Sequence, residues 1–163
     1  MATPERINVG IVGYGVIGRR VAEAVLLQPD MALAGVADVA ADWRVAQAAH
    51  RGIPLFAASA EARPTMEDVG LSIVGMLAEL VEAADVVVDC TPKRRGAENA
   101  QLYRRQVKPF IVQGGEKHEV AGHSFVSEVS YAGAIGREAT RVVSCNTTSI
   151  VRTLGTLKRA GLL

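Results

Sequence analysis

Aromatic side chains are scarce in this chain of 163 residues, which holds one tryptophan, three tyrosines and three phenylalanines. Alanine, valine and glycine dominate instead, the composition expected of helices packed tightly on a largely buried parallel sheet. Cysteine is almost absent too. Two cysteines with no signal peptide exclude a disulfide framework and read as thiols of a reducing, cytoplasmic compartment. No apolar run approaches the length of a membrane span. An excess of one charge is missing as well: eighteen basic against seventeen acidic side chains leave a formal charge of +1. That balance provides no field for nucleic acid or an anionic membrane, and it turns attention to small ligands. Internal repeats and low-complexity segments are absent, and Met1 to Arg6 is a short polar lead without a targeting pattern. The length suits one domain with a sizeable core, although an α/β enzyme with a separate substrate domain usually needs more.

What is present is organised by two motifs. The apolar run Ile7 to Val12 leads into Gly13-Tyr14-Gly15-Val16-Ile17-Gly18, and Val21, Ala22, Val25 and Leu26 continue at helical spacing until Pro29. Such a strand–turn–helix has specific demands. Gly13 permits the tight turn, Gly15 lets a pyrophosphate approach the backbone, and Gly18 lets helix and strand pack closely. A second strand, Ala32 to Ala37, ends in Asp38, twenty residues beyond Gly18, where a dinucleotide site places the acid that binds the adenosine ribose. The carboxylate of Asp38 repels a 2'-phosphate, so NAD is favoured over NADP. Arg44 is either a phosphate partner or a solvated arginine on a helix face. The expected fold is therefore α/β, a Rossmann-type doubly wound, mostly parallel sheet. Its further elements are a helix over Trp43 to Arg51, a short edge strand over Ile53 to Phe56, and a loop over Ala57 to Pro64. A short turn or helix over Thr65 to Gly70 and a helix over Met76 to Ala84 follow. A fourth strand ends at Asp89-Cys90-Thr91-Pro92, which puts Thr91 and Pro92 beside the cofactor. Nothing near Cys90 ionises a thiol, and it reads as structural. Lys93-Arg94-Arg95 is a solvated basic loop or a phosphate contact. After a polar helix, Gly96 to Gln106, the strand Pro109 to Val112 opens into the loop Gln113-Gly114-Gly115-Glu116-Lys117. Ser124 to Val129 reads as a strand and Tyr131 to Gly136 as a turn or short helix.

The second motif is Val142-Val143-Ser144-Cys145-Asn146-Thr147-Thr148. Ile150, Val151, Leu154 and Leu157 fall at helical spacing behind it, so Cys145 is expected in the first turn of a helix, among free N–H groups at the positive end of the dipole. A thiol there is either a nucleophile or a buried structural cysteine. The small polar residues Asn146, Thr147 and Thr148 after an apolar strand suit a polar or anionic ligand.

Taken together, the glycine turn, Asp89-Cys90-Thr91-Pro92, Gln113-Gly114-Gly115-Glu116-Lys117-His118 and Val142 to Thr148 resemble the archaeal-type glyceraldehyde-3-phosphate dehydrogenases, across nearly the whole chain. The resemblance implies an enzyme of glycolysis and gluconeogenesis that oxidises a phosphorylated aldehyde with NAD or NADP and inorganic phosphate, without a metal. The matching thiol, Cys145, attacks the aldehyde, the hemithioacetal passes hydride to the nicotinamide, and phosphate releases the thioester as an acyl phosphate. Backbone N–H groups and the Asn146 side chain would stabilise the oxyanion, and Thr147 or Thr148 would bind phosphate. Gly13 to Gly18, Asp38, Thr91, Pro92, Gln113 and Gly114 would hold the cofactor. The full-length enzyme is expected to be a homo-oligomer, a tetramer, with no nucleic-acid or membrane partner. Ser149 departs from the family's usual glycine, Val126 from an asparagine, and Asp38 from the lysine of many relatives. The family's chain is also about twice as long, with its catalytic histidine and main phosphate-binding arginines in the second half. None of His50, His118 and His123 matches that base. Residues 1–144 are thus expected to form the dinucleotide-binding domain and 145–163 the cysteine helix leading to a substrate domain absent from this chain. A stand-alone dinucleotide-binding or redox-sensing module is the alternative.

Overall fold

In a computed structural model the structure describes residues 6–113 and 115–163. Strands and helices alternate along the chain: β1 (Ile7–Val12), α1 (Val16–Leu26), β2 (Met31–Asp38), α2 (Trp43–His50), β3 (Leu55–Ala57), α3 (Ala62–Asp68), β4 (Ile73–Met76), α4 (Leu77–Ala83), β5 (Val86–Asp89) and α5 (Arg95–Arg105). β6 (Phe110–Val112), α6 (His118–Ala121), β7 (Ser124–Phe125), α7 (Ser127–Ala134), β8 (Ala139–Val142) and α8 (Cys145–Arg159) complete it. The described strands form one eight-stranded sheet in the order β4-β3-β2-β1-β5-β6-β8-β7. Every neighbouring pair is parallel. The fold is α/β and Rossmann-like, and the sheet is wholly rather than mostly parallel.

Successive strand residues point to opposite faces, and both faces are covered. Ile11, Val36 and Val88 join one buried cluster with Tyr14, Val25 and Met66. Their chain neighbours Val12, Ala37 and Val87 join a second with Leu80, Tyr103 and Phe110. This two-sided burial explains the continuous apolar runs. The strand order reverses direction between β1 and β5, the switch point where such sheets bind ligands beyond the carboxyl ends of their strands. Gly13, Asp38, Thr91, Gln113 and Cys145 all follow or end strands at that edge.

The structure corrects three local expectations. Ile73–Met76 forms β4, so β3 is an interior strand rather than an edge. A four-residue apolar run without alternation cannot be told from a helix start by pattern alone. α3 begins at Ala62 and carries Pro64 in its first turn, where the missing N–H costs nothing. β7 stops at Phe125, and Ser127 to Ala134 wind into α7, with the Ser130 hydroxyl accepting the Val126 N–H at 2.8 Å. α8 contributes no buried residue: it lies on α7 and leaves Ile150 and Leu154 exposed.

Candidate functional site: a dinucleotide crevice beside an exposed thiol

The glycine turn is built as its residue types require. Gly13 has a φ of 84°, and Gly18 packs so tightly that a Cβ would lie 1.9 Å from the Gly13 carbonyl oxygen. Around Gly15, by contrast, a Cβ would meet nothing within 4 Å. The turn borders a crevice of about 690 Å³ that is also lined by Asp38, Asp42, Arg44, Thr91, Pro92 and Asn99. Gly13, Tyr14, Gly15, Asp38, Thr91 and Pro92 are thus brought together. Val16 is exposed at the first position of α1, and Ile17 lines a second cleft.

Asp38 is tied into the backbone. Its Oδ2 accepts the Tyr14 N–H at 2.5 Å, and its Oδ1 accepts the N–H groups of Val39 and Ala40 at 2.7 and 2.8 Å. A carboxylate offers about four acceptor positions, so one on Oδ2 is left over, on a residue that lines the crevice. Arg44 is ion-paired with Asp42, the N-cap of α2, rather than free on a helix face.

A second carboxylate organises the opposite wall, and the sequence reading passed over it. Asp89, at the end of β5, is 1% exposed, and none of the ion pairs among the described residues involves it. Its Oδ1 accepts the Thr91 N–H at 2.9 Å and the Thr91 hydroxyl at 2.5 Å. Its Oδ2 accepts the Asn99 amide at 2.9 Å and the Tyr103 hydroxyl at 2.6 Å. Burial first, and then the charge of Asp89, push the Tyr103 hydroxyl far above its ordinary range. The signal for this hub lay in α5: Gly96, Ala100 and Tyr103 are its buried residues, at helical spacing in a helix that otherwise reads as polar. Replacing Asp89 by alanine strands four donors, three of them on the crevice residues Thr91 and Asn99. Unfolding in urea is expected to show a loss of about 2–4 kcal/mol, and a loss under 1 kcal/mol would contradict this role.

Cys145 is the first residue of α8 and is exposed, so it is not a buried structural cysteine. Ser144 caps the helix by accepting the Thr147 N–H at 3.2 Å, while the N–H groups at the very start have no partner inside the helix. A cleft of about 630 Å³ runs along one stripe of α8, from Cys145 past Thr148, Ser149 and Arg152, and is closed by Ile17, Gln113, Val142 and Val143. Asn146 turns its Oδ1 toward the Cys145 sulfur at 3.9 Å, and Thr147 turns its hydroxyl to Ser144 at 2.9 Å. Neither lines the cleft, whereas Thr148 does. Cys90 is half-buried beneath the glycine turn, where burial and then the Asp89 charge push its thiol up to about 12.

In the loop after β6, Gln113 reaches from the cleft to the Cys90 sulfur at 3.6 Å. Gly114 lies outside the described residues. Arg141 holds the loop by donating to the Glu116 carbonyl at 2.6 Å and the Ser124 hydroxyl at 2.8 Å, a contact between β8 and a distant loop that spacing could not suggest. His118 meets Ser124 and His123 meets Thr140, so none of the three histidines lines the thiol cleft.

Comparison with known proteins accords with this geometry. Residues 7–120 match the family described as "Dihydrodipicolinate reductase, N-terminus". Glyceraldehyde-3-phosphate dehydrogenases of Pyrococcus furiosus and Thermococcus kodakarensis are each 48% identical over 94% of this chain and 46% of their own. The chain therefore spans about half the length of the curated relatives it matches. Aspartate semialdehyde dehydrogenase II of Vibrio cholerae, at 14% identity, shares the fold with a TM-score of 0.61 over 96% of this chain and 47% of its own. With a strand–glycine turn–helix start, a wholly parallel sheet and a family match over 7–120, the chain belongs to the dihydrodipicolinate reductase N-terminus family, and across nearly all its length it is similar to the archaeal glyceraldehyde-3-phosphate dehydrogenases.

Proposed function

We propose that this chain is the cofactor-binding and thiol-bearing part of a phosphorylating glyceraldehyde-3-phosphate dehydrogenase that makes 1,3-bisphosphoglycerate with NAD or NADP. The observation that carries the reading is the exposed Cys145 at the start of α8, in a cleft shared with Ile17 of the glycine turn and with Gln113. The residues fit a dinucleotide: the open space at Gly15 admits a pyrophosphate to the backbone, and Asp38 keeps an acceptor for a ribose hydroxyl. Gly13 to Gly18, Thr91, Pro92, Gln113 and Gly114 would hold it. When bound, the dinucleotide supplies the oxidant, taking up the aldehyde hydrogen with two electrons.

The chain's own residues would do the remainder. The Cys145 sulfur bonds to the aldehyde carbon, and the carbonyl oxygen becomes an alkoxide beside the free N–H groups of Cys145 and Asn146. The Asn146 side chain is near enough to the sulfur to assist. After oxidation to a thioester, inorganic phosphate held by Thr147 or Thr148 attacks the carbonyl carbon, the carbon–sulfur bond breaks, and Cys145 leaves as thiolate. In this reading residues 1–144 are the dinucleotide-binding domain and 145–163 open the catalytic domain, which accords with α8 lying outside the core. The resemblance extends the proposal to a cytoplasmic homo-oligomer.

Calorimetric titration of the chain with NAD is expected to give one site per chain. The protein that carries it is expected to reduce NAD only with both glyceraldehyde 3-phosphate and phosphate present. Failure to bind either NAD or NADP overturns the reading. Because no histidine lines the thiol cleft, a dinucleotide-binding module without turnover is a second reading, and binding without reduction under those conditions selects it.

A further inference from the structure

We propose that Asp42 sets the cofactor preference of the crevice by occupying Arg44, the arginine positioned to meet a 2'-phosphate on the adenosine ribose. The proposal rests on the dinucleotide reading above and names what decides between NAD and NADP within it.

The ribose corner of the crevice contains Asp38, Asp42 and Arg44. Asp38 cannot swing away from an incoming phosphate, because three backbone N–H groups hold it at 2.5–2.8 Å and one of them, Tyr14, belongs to the glycine turn. Accommodating a 2'-phosphate therefore falls to the arginine. The Arg44 Nε donates to Asp42 Oδ2 at 2.9 Å and its Nη2 donates to the same oxygen, so one edge of the guanidinium fork is already filled by a carboxylate. Asp42 is itself anchored: its Oδ1 accepts the N–H groups of Arg44 and Val45 at 2.9 and 3.4 Å as the N-cap of α2. The Arg44 guanidinium also holds the Asp42 carboxyl below the usual carboxylate range, so the pair stays ionised at neutral pH.

Charge at this corner points the same way. Two carboxylates and one guanidinium sum to −1, which disfavours a phosphate dianion. The other charged groups on the wall do not alter this balance, since Arg95 pairs with Glu98 at 2.9 Å, and Glu61 and Lys93 oppose one another in sign. Removing Asp42 brings the corner to zero and frees the fork for a bidentate phosphate contact.

The test compares the parent chain, Asp42→Ser, and Asp42→Ser with Arg44→Ala, each titrated calorimetrically with NAD and with NADP. Serine keeps an oxygen to cap α2, and Asp42→Asn serves as a second variant with the same shape and no charge. In Asp42→Ser the Kd for NADP is expected to fall about tenfold, the Kd for NAD to stay within about threefold, and the NADP gain to vanish in the double variant. An unchanged NADP-to-NAD ratio in both Asp42 variants overturns the proposal. A gain that survives Arg44→Ala, or a parent that already binds NADP as tightly as NAD, overturns it too. If the parent binds neither dinucleotide, the crevice reading itself falls. If it binds NAD with a ratio that Asp42 does not move, only this inference falls.

Discussion

Replacing Cys145 by serine is expected to lower aldehyde- and phosphate-dependent NAD reduction, in the protein that carries this chain, by about ten-thousandfold or more, the order of loss when a covalent nucleophile is removed. The expectation is specific because the substitution has little else to disturb. Cys145 is exposed, its one hydrogen bond from the side chain among the described residues is to Asn146 Oδ1 at 3.9 Å, and the cap of α8 runs through Ser144 and Thr147. Folding and NAD affinity should therefore stay at parent values while turnover disappears. The two thiols also separate chemically: iodoacetamide should modify Cys145 and leave Cys90, which is pushed up to about 12 beneath the glycine turn, untouched until the protein unfolds. A serine variant with more than a few per cent of parent turnover, or alkylation of Cys90 ahead of Cys145, would contradict the assignment.

Two glycines of one turn are expected to fail in opposite ways. In Gly18→Ala the new methyl would sit 1.9 Å from the Gly13 carbonyl oxygen, a backbone atom that cannot step aside without opening the turn. A loss of about 3 kcal/mol or more, read by thermal or urea unfolding, is the expected outcome, with dinucleotide binding lost alongside. In Gly15→Ala the methyl points into open space from a residue with an ordinary φ of −72°, so the melting temperature should hardly move. Dinucleotide affinity should nevertheless fall about tenfold or more, because the methyl takes the place of an approaching phosphate. A Gly15→Ala chain that binds NAD as the parent does would remove the pyrophosphate from that position.

The contrast marks what could be read from residues alone. A positive φ at Gly13 and a close approach at Gly18 are demands of a turn between adjacent elements, so local order is enough to predict them, and the wholly parallel sheet follows from the same alternation of strand and helix. Asp38 was legible by its place at the end of β2. Its hold on the Tyr14 N–H was not, because that bond joins two elements through the fold. Asp89 is the clearer case: its four donors come from Thr91, Asn99 and Tyr103, and only the packing of α5 against β5 and β6 turns an ordinary acidic residue into a hub. The pairing of Arg44 with Asp42, two residues apart, was within reach, since an N-cap aspartate followed by arginine in the first turn is a local pattern. β4 escaped for lack of length. Four residues hold too little periodicity to settle their own state, and the hydrogen bonds of β3 settle it for them.

The seam between β1 and β5 carries a consequence of another kind. Val9 of β1 lies beside Met31's strand early in the chain, but its partner on the other side is Val86, far along the sequence. Joining them requires closing a long loop before the contact is rewarded, which makes parallel sheets of this sort slow to fold. The crevice walls stand on the two sides of that seam, Asp38 and the glycine turn on one and Thr91 with Asn99 on the other. A molecule seated there can exist only on chains that have finished the join. Its binding thus draws the population toward the closed sheet by mass action, so that the concentration of nucleotide surrounding a newly made chain acts as a term in how completely that chain folds.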